Sequence, residues 1–243
     1  MNELETLQQW FDESRSAVFF GGAGVSTESG IPDFRSVDGI YNMKYDLPPE
    51  TIISHTYYDG HREEFFRFYR DKMLWLDAKP NAAHKKLAEL EAAGHLAAVV
   101  TQNIDGLHQA AGSKTVWELH GSVHRNYCHD CRKCFDAAYV KNAEGEPRCD
   151  DCGGPVKPDV VLYEEGLSSR IMRGAINAIE AADMLIIGGT SLAVYPAAGL
   201  IDYYEGHRLV LINKTPTPYD SRADLILHGA IGELMSQIKV NPI

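Results

Sequence analysis

The sequence predicts an α/β fold, a doubly wound parallel sheet with a small second domain formed by insertions. Three observations predict it. Short apolar runs alternate with helix-forming segments, the pattern of a parallel sheet covered on both faces. Polar or glycine-rich stretches follow four of those runs: Gly21–Gly24, Thr101–Asp105, Gly188–Ser191 and Asn213–Lys214. In a doubly wound sheet such strand ends share one edge, where ligands bind. The alternation is interrupted twice, by an aromatic-rich stretch over 36–80 and by a cysteine-bearing stretch after His120.

In chain order, residues 3–13 carry Leu4, Leu7 and Trp10-Phe11 at near-helical spacing and predict an amphipathic helix. Ala17-Val18-Phe19-Phe20 reads as a buried strand that runs into the glycine loop. In that loop Pro32 works against a continuous helix. Within 36–80, HREEFFRFYRDKMLWL (61–76) predicts a helix with aromatics on one face. Residues 82–93 are strong helix formers, and Gly94 is placed to end them. Leu96–Val100 and Val116–Leu119 read as strands, followed by the cysteine segment from Asn126 to about Pro158 and an extended Val160–Tyr163. A helix over 170–182 leads to the strand Met184–Ile187, and one over 197–205 leads to Leu209–Ile212. A strand over 224–227 and a helix over 230–238 close the chain. No repeat and no low-complexity segment is found.

The chain has 243 residues, 44% of them hydrophobic, enough for a large domain with a satellite. With 34 acids against 23 bases, its net charge of −11 repels nucleic acid and weakly favours a basic partner such as a lysine-bearing peptide. The N-terminus lacks the basic start and apolar core of a signal peptide, and no apolar run approaches the ~20 residues that span a bilayer. A cytoplasmic protein is therefore expected, with no membrane and no nucleic-acid partner. All five cysteines fall between 128 and 152, which in a reducing compartment favours metal over disulfides.

Cys128-x2-Cys131 and Cys149-x2-Cys152, with 17 residues between them, read as a tetrahedral zinc ribbon. Four thiolates leave no open position, so the zinc is expected to be structural. Cys134 forms a competing Cys-x2-Cys with Cys131; the first register is preferred, with Cys134 a spare thiol. His124 and His129 flank the first pair and are alternative ligands. The fold class is then α/β, a Rossmann-like doubly wound parallel sheet with a small domain made of a helical insertion and a zinc ribbon.

Gly22-x-Gly24 supplies part of a dinucleotide fingerprint, but Thr27 stands where a third small residue is expected. No acid closes a second strand about 20 residues on to hold a ribose. The loop is consistent with nucleotide binding or with a simple tight turn. His120 ends a strand at the predicted ligand edge, where a neutral imidazole can take a proton near pH 7; a structural histidine is the plain alternative. Asn103 and Asp105, beside Gln102, fit either amide recognition and water positioning or an Asx-capped turn.

Taken together, GAGVSTESGIPDFR, TQNIDGLH, HGS, GTSLAVYP and Ile212-Asn213 resemble the sirtuins, the NAD-dependent protein-lysine deacylases. The resemblance runs from about residue 10 to 235. It implies a Rossmann-like NAD-binding domain of 1–35, 81–120 and 165–243. The helical insertion 36–80 and the zinc-ribbon module 121–164 together form the small domain. By the same resemblance Gly22, Ala23, Gly24, Thr27, Asp33, Phe34 and Arg35 line the phosphates and nicotinamide ribose. Gln102, Asn103, Ile104 and Asp105 build the nicotinamide pocket. Gly189, Thr190, Ser191, Asn213, Ala230 and Ile231 face the adenosine half. His120, Asn103 and Asp105 are the catalytic candidates.

The implied reaction releases nicotinamide, free lysine and O-acetyl-ADP-ribose, with NAD as co-substrate and one structural Zn2+ per chain. The acyl oxygen attacks the ribose carbon and His120 takes a proton from a ribose hydroxyl. Acetyl-lysine peptide is expected to pair as a strand along Val160, Val161 and Leu162 on one side and Val194 on the other. The family often has Phe-Gly-Glu where this chain has Tyr163-Glu164-Glu165. Family members that remove succinyl or malonyl groups carry Tyr-x-x-Arg. Aligned on Tyr69-Arg70, Arg67 falls where that tyrosine belongs, so acetyl or other uncharged acyl groups are expected. Mono-ADP-ribosyl transfer and a non-catalytic NAD-sensing module are the alternatives, and a monomer is expected.

Overall fold

The computed structural model describes residues 2–33, 39 and 47–241. Strands β1 (Ala17–Gly21), β2 (Leu96–Thr101), β3 (Val116–Glu118), β7 (Leu185–Gly188), β8 (Leu209–Asn213) and β9 (Leu225–His228) form one sheet in the order β3-β2-β1-β7-β8-β9. Every neighbouring pair is parallel. The order reverses between β1 and β7, which makes a crevice beyond the carboxyl ends of those two strands.

Alternation along each strand sends side chains to two separate cores. Phe19, Val99, Ile186 and Val210 bury one face against helices α1 (Glu3–Glu13), α5 (Ala82–Ala92) and α9 (Ile231–Ser236). Val18, Phe20, Val100, Ile187 and Leu211 bury the other against α8 (Ser169–Glu180) and a 3-10 helix, Ala197–Tyr203. The sequence predicts an α-helix over 197–205; Gly199 lowers α propensity there, and the segment takes the tighter form. Helix α1 starts with a capping box: Glu5 N donates to Asn2 Oδ1 at 2.8 Å, and Asn2 N to Glu5 Oε2 at 3.0 Å. Asn81 caps α5 and also donates to Val25 O (2.7 Å) and Ser29 Oγ (3.0 Å), fastening that helix to the glycine loop.

The insertions form a second body. Helices α2 (Pro49–Ile52), α3 (His55–Gly60) and α4 (Arg62–Lys72) pack beside an antiparallel sheet of β4 (Gly121–Cys128), β5 (Cys134–Phe135) and β6 (Val156–Val160). Tyr58, Phe65, Phe66, Phe68 and Tyr69 share one core with Val123, Val140, Val160 and Leu162, so helical lobe and cysteine sheet are one packed unit. Helices α6 (Leu107–Ala111) and α7 (Ala137–Asn142), like α2 and α3, are too short to leave a periodic signature in sequence.

Candidate active site

The cleft lies between the two bodies at the β1/β7 crevice and has a volume of about 1350 Å³. Its floor is made by the ends of four strands. Two of them approach so closely that side chains are excluded: a Cβ on Gly24 would stand 2.8 Å from Gly189 O, and Gly189 has φ +59°. Two 3-10 turns, Ala23–Val25 and Thr27–Ser29, then carry the chain over the cleft. They are tied down far away in sequence, where Glu28 Oε1 accepts from Gly232 N at 2.8 Å.

Polar side chains link these ends. Asn103 Nδ2 donates to Gly22 O (3.1 Å) and Ser26 Oγ (3.2 Å), and Ser26 Oγ donates to Asp105 Oδ2 (2.6 Å). The other Asp105 oxygen accepts from Leu107 N at 2.9 Å, so the cap that opens α6 also fixes the carboxylate. Gln102 Nε2 reaches Thr190 Oγ1 at 3.1 Å. Asn213 holds the Thr190 backbone from both sides, Oδ1 accepting from its N–H (3.1 Å) and Nδ2 donating to its C=O (2.7 Å). Its side chain positions the Thr190 turn, a duty that sequence alone does not show.

His120 follows β3 and precedes Gly121, whose φ is +78° and whose added Cβ would collide with Asp159 O. That glycine lets β4 and β6 close beside the histidine. His120 Nδ1 lies 2.9 Å from Gln102 O. A carbonyl can only accept, so Nδ1 carries the proton and Nε2 is the bare, basic nitrogen. Burial pushes the His120 pKa down, partly opposed by the Gln102 carbonyl. The ring is therefore neutral at pH 7.

Among the described residues the cleft is lined by Gly22, Ala23, Gly24, Thr27, Asp33, Gln102, Asn103, Ile104, Asp105, His120, Gly189, Thr190, Ser191, Asn213 and Ile231, all sequence candidates. Val160, Val161, Leu162 and Val194 line it too. Ala230 does not; it caps α9 between the lining residues Gly229 and Ile231. Phe34 and Arg35 lie outside the described residues. Ser26, Tyr69, Met73 and Lys214 also line the cleft and were not singled out as ligand residues. Ser26 had a signal in its motif; its Asp105 partner is 79 residues away.

The cleft fits a dinucleotide. Its β7–β8 end is formed by Thr190, Ser191, Asn213 and Lys214, with no carboxylate among the described residues there to repel a phosphate. Close glycine backbone at the switch point leaves room for a pyrophosphate.

The four ribbon sulfurs converge, all lying within 4.8 Å of one another. Cys128 Sγ to Cys152 Sγ is 3.5 Å and Cys131 Sγ to Cys149 Sγ is 3.6 Å. A tetrahedron with Zn–S bonds of about 2.3 Å has edges of about 3.8 Å, so the donor set fits zinc. Cys134 Sγ points elsewhere, 3.9 Å from Phe135 O, and His124 Nε2 engages Asp105 O at 2.9 Å.

The Sir2 family model matches residues 22–196, a span holding the glycine loop, His120 and all four ribbon cysteines. The chain belongs to the Sir2 family. This sirtuin is 58% identical to a protein of Clostridium acetobutylicum named NAD-dependent protein deacetylase, over 98% of each chain. It is 46% identical to one of that name from Staphylococcus aureus, over 98% of this chain and 97% of the other. Among solved structures, a Sir2 chain described with a peptide and NAD+ superposes with a TM-score of 0.86 at 40% identity, covering 98% of the sirtuin and 97% of that chain. Another, described with deacetylated peptide and an acetyl ADP-ribose, gives 0.87 at 39% identity over 96% of both.

The segment after β6 carries Tyr163-Glu164-Glu165 in place of the family's frequent Phe-Gly-Glu. Glu164 takes φ +75°, the left-handed region where the family often has glycine. Its Oε2 accepts from Thr56 N (2.9 Å) and Thr56 Oγ1 (2.7 Å), which offsets the backbone cost. Tyr163 O accepts from His55 N (3.0 Å) and Tyr163 N donates to Ile53 O (3.1 Å), binding this segment to the helical lobe.

Proposed function

We propose that the cleft binds NAD and an acetyl-lysine peptide and that its residues carry out deacetylation as follows. The protein is an NAD-dependent protein-lysine deacetylase that releases nicotinamide and O-acetyl-ADP-ribose, and its four ribbon thiolates hold one structural zinc. Bound NAD supplies a ribose carbon from which nicotinamide departs. Gly22, Ala23, Gly24 and Thr27 hold the phosphates. Gly189, Thr190, Ser191 and Asn213, with Ala230 and Ile231 beyond them, form the adenosine side. Asp33, Phe34 and Arg35 are assigned to the phosphates and the nicotinamide ribose.

Gln102, Asn103, Ile104 and Asp105 receive the carboxamide. The fixed carboxylate of Asp105 orients the leaving group, and the surrounding apolar wall keeps water out. His120 Nε2 takes the proton of a ribose hydroxyl. The observation that carries this reading is that cleft-lining His120 has its Nδ1 spent on the Gln102 carbonyl, which leaves Nε2 as the basic nitrogen. Substrate peptide extends between Val160–Leu162 and Val194 and presents an uncharged acyl group. The boundaries 1–35, 81–120, 165–243 and 36–80, 121–164 divide the two bodies. A cytoplasmic monomer without nucleic-acid affinity completes the reading; no helix among the described residues is long and apolar enough to cross a membrane.

The test is an acyl-lysine peptide panel with NAD, following nicotinamide and the ADP-ribose product by mass. His120→Ala should lower kcat by about 10³-fold while NAD still binds. Activity of that variant close to wild type would sink the assignment. In the wild type, kcat/KM should rise with pH through a pKa below 6.5 and then level off, because the basic form of His120 is the neutral one.

A further inference from the structure

The hydroxyl of Tyr69 is buried and has no hydrogen-bond partner among the described residues, yet the residue lines the cleft. The ring is fixed: it stacks on Phe65 at 5.6 Å and meets Phe66 edge-on at 6.2 Å. The wall around it is apolar, built from Ile53, Met73, Ile104, Val123, Val160 and Leu162, which all line the same cleft. A lone buried donor in such a wall costs stability unless something bonds to it. A bound acyl chain running into this wall is the group placed to do so.

The donor is neutral and remains so, since burial pushes the phenol pKa upward. Among the described residues the cations nearest this place are already engaged. Arg70 faces away, donating to Gly145 O at 2.9 Å and towards Val140 O at 3.5 Å. The nearby Lys72 is already within 3.1 Å of Asp71. A charged acyl tail would therefore be buried without a counter-ion, whereas a hydroxyl would find its donor.

Met73 sits one turn further along α4, its N–H donating to Tyr69 O at 2.9 Å, and its unbranched thioether is the adaptable part of the wall.

We propose that Tyr69 is a specificity-determining residue of the acyl pocket, its hydroxyl selecting acyl-lysines that carry a neutral hydroxyl on the chain over hydrocarbon chains of equal length. The proposal rests on the deacylase reading and adds the substrate class. The probe pair is one peptide bearing 3-hydroxybutyryl-lysine or butyryl-lysine, which differ by one hydroxyl. The wild type should prefer the hydroxylated peptide by about tenfold in kcat/KM, the worth of one net hydrogen bond at a buried site. Tyr69→Phe, which removes only the unpartnered oxygen, should bring that ratio to about one. A ratio that is the same in both proteins overturns the proposal, because a purely structural Tyr69 would move both peptides together. Absence of nicotinamide release with every peptide in the wild type is a different result and overturns the deacylase reading itself.

Discussion

The parallel sheet and the cysteine-bearing sheet are held together by different means. The first is sandwiched, with continuous apolar clusters on both faces. The second has, around its metal site, a core of only Cys128, Phe135, Cys149 and Val156, with Tyr139 packed against it. Two of those four residues are metal ligands. A module this small buries too little apolar surface to stand alone, so the thiolate site replaces a core. Its far end joins the helical lobe through Val123 and Val160, which also line the substrate cleft. Metal loss should therefore be felt where the peptide binds, although the zinc has no chemical task.

The sharpest test of the contrast is metal removal. Chelation, or Cys149→Ala, should abolish activity and open residues 121–164 to proteolysis while the parallel sheet stays protected. Sites of this kind contribute roughly 10 kcal/mol or more to their module. Unchanged activity in the zinc-free protein would break the comparison.

Acid should find the weakness of the other region. His84 and His108 stack edge-on at 4.7 Å beneath the glycine loop, and neither ring nitrogen of His108 has a partner among the described residues. Burial pushes His84 down to about 4 and His108 to about 3. Both folded values lie below the ~6.5 of an unfolded imidazole, so the unfolded chain takes up protons first as pH falls. Their contribution is whole above pH ~6.5 and is lost progressively towards 4, at about 1.4 kcal/mol per pH unit for each ring. Denaturant melts between pH 7 and 5 should show this loss. His108→Leu should lessen the slope, to which the lowered His120 and His129 also contribute; an unaltered slope would assign it elsewhere.

A smaller effect is expected at the cleft floor. Ser26→Ala removes the hydroxyl that donates to Asp105 and accepts from Asn103. A bond to a charged acceptor is worth about 1.5–3 kcal/mol, so kcat/KM for NAD should fall about tenfold or more with little change in melting. Equal kinetics would mean that Leu107 N alone positions the carboxylate. The smallest effect should come from Cys134→Ser, which leaves one zinc per chain and full activity; released zinc would move Cys134 into the ligand set.

The large sheet was legible because its strands are short apolar runs whose ends carry glycine or polar residues, a pattern local in sequence. The ribbon was legible because two Cys-x2-Cys pairs admit few chemistries. His120 and Asp105 stood out by their place at strand ends. The short helices α2, α3, α6 and α7 did not, since four to six residues give no periodicity. Asn213 was expected on the adenosine half, and the structure adds that its amide holds the Thr190 turn through two backbone bonds. Nothing in FFRFYR says which side chain meets the cleft, so Tyr69 could not be singled out there.

By itself, then, the sequence determined the layering, the four thiolates and the strand edge at which the cleft lies, all of which depend on neighbours a few residues apart. Tertiary structure alone decided three things: which oxygen of Asp105 Ser26 reaches, which nitrogen of His120 is left bare, and that Tyr69, whose hydroxyl has no partner among the described residues, lines the cleft. Each depends on the mutual approach of elements distant in the chain. That approach is set by how two insertions pack on one shared core.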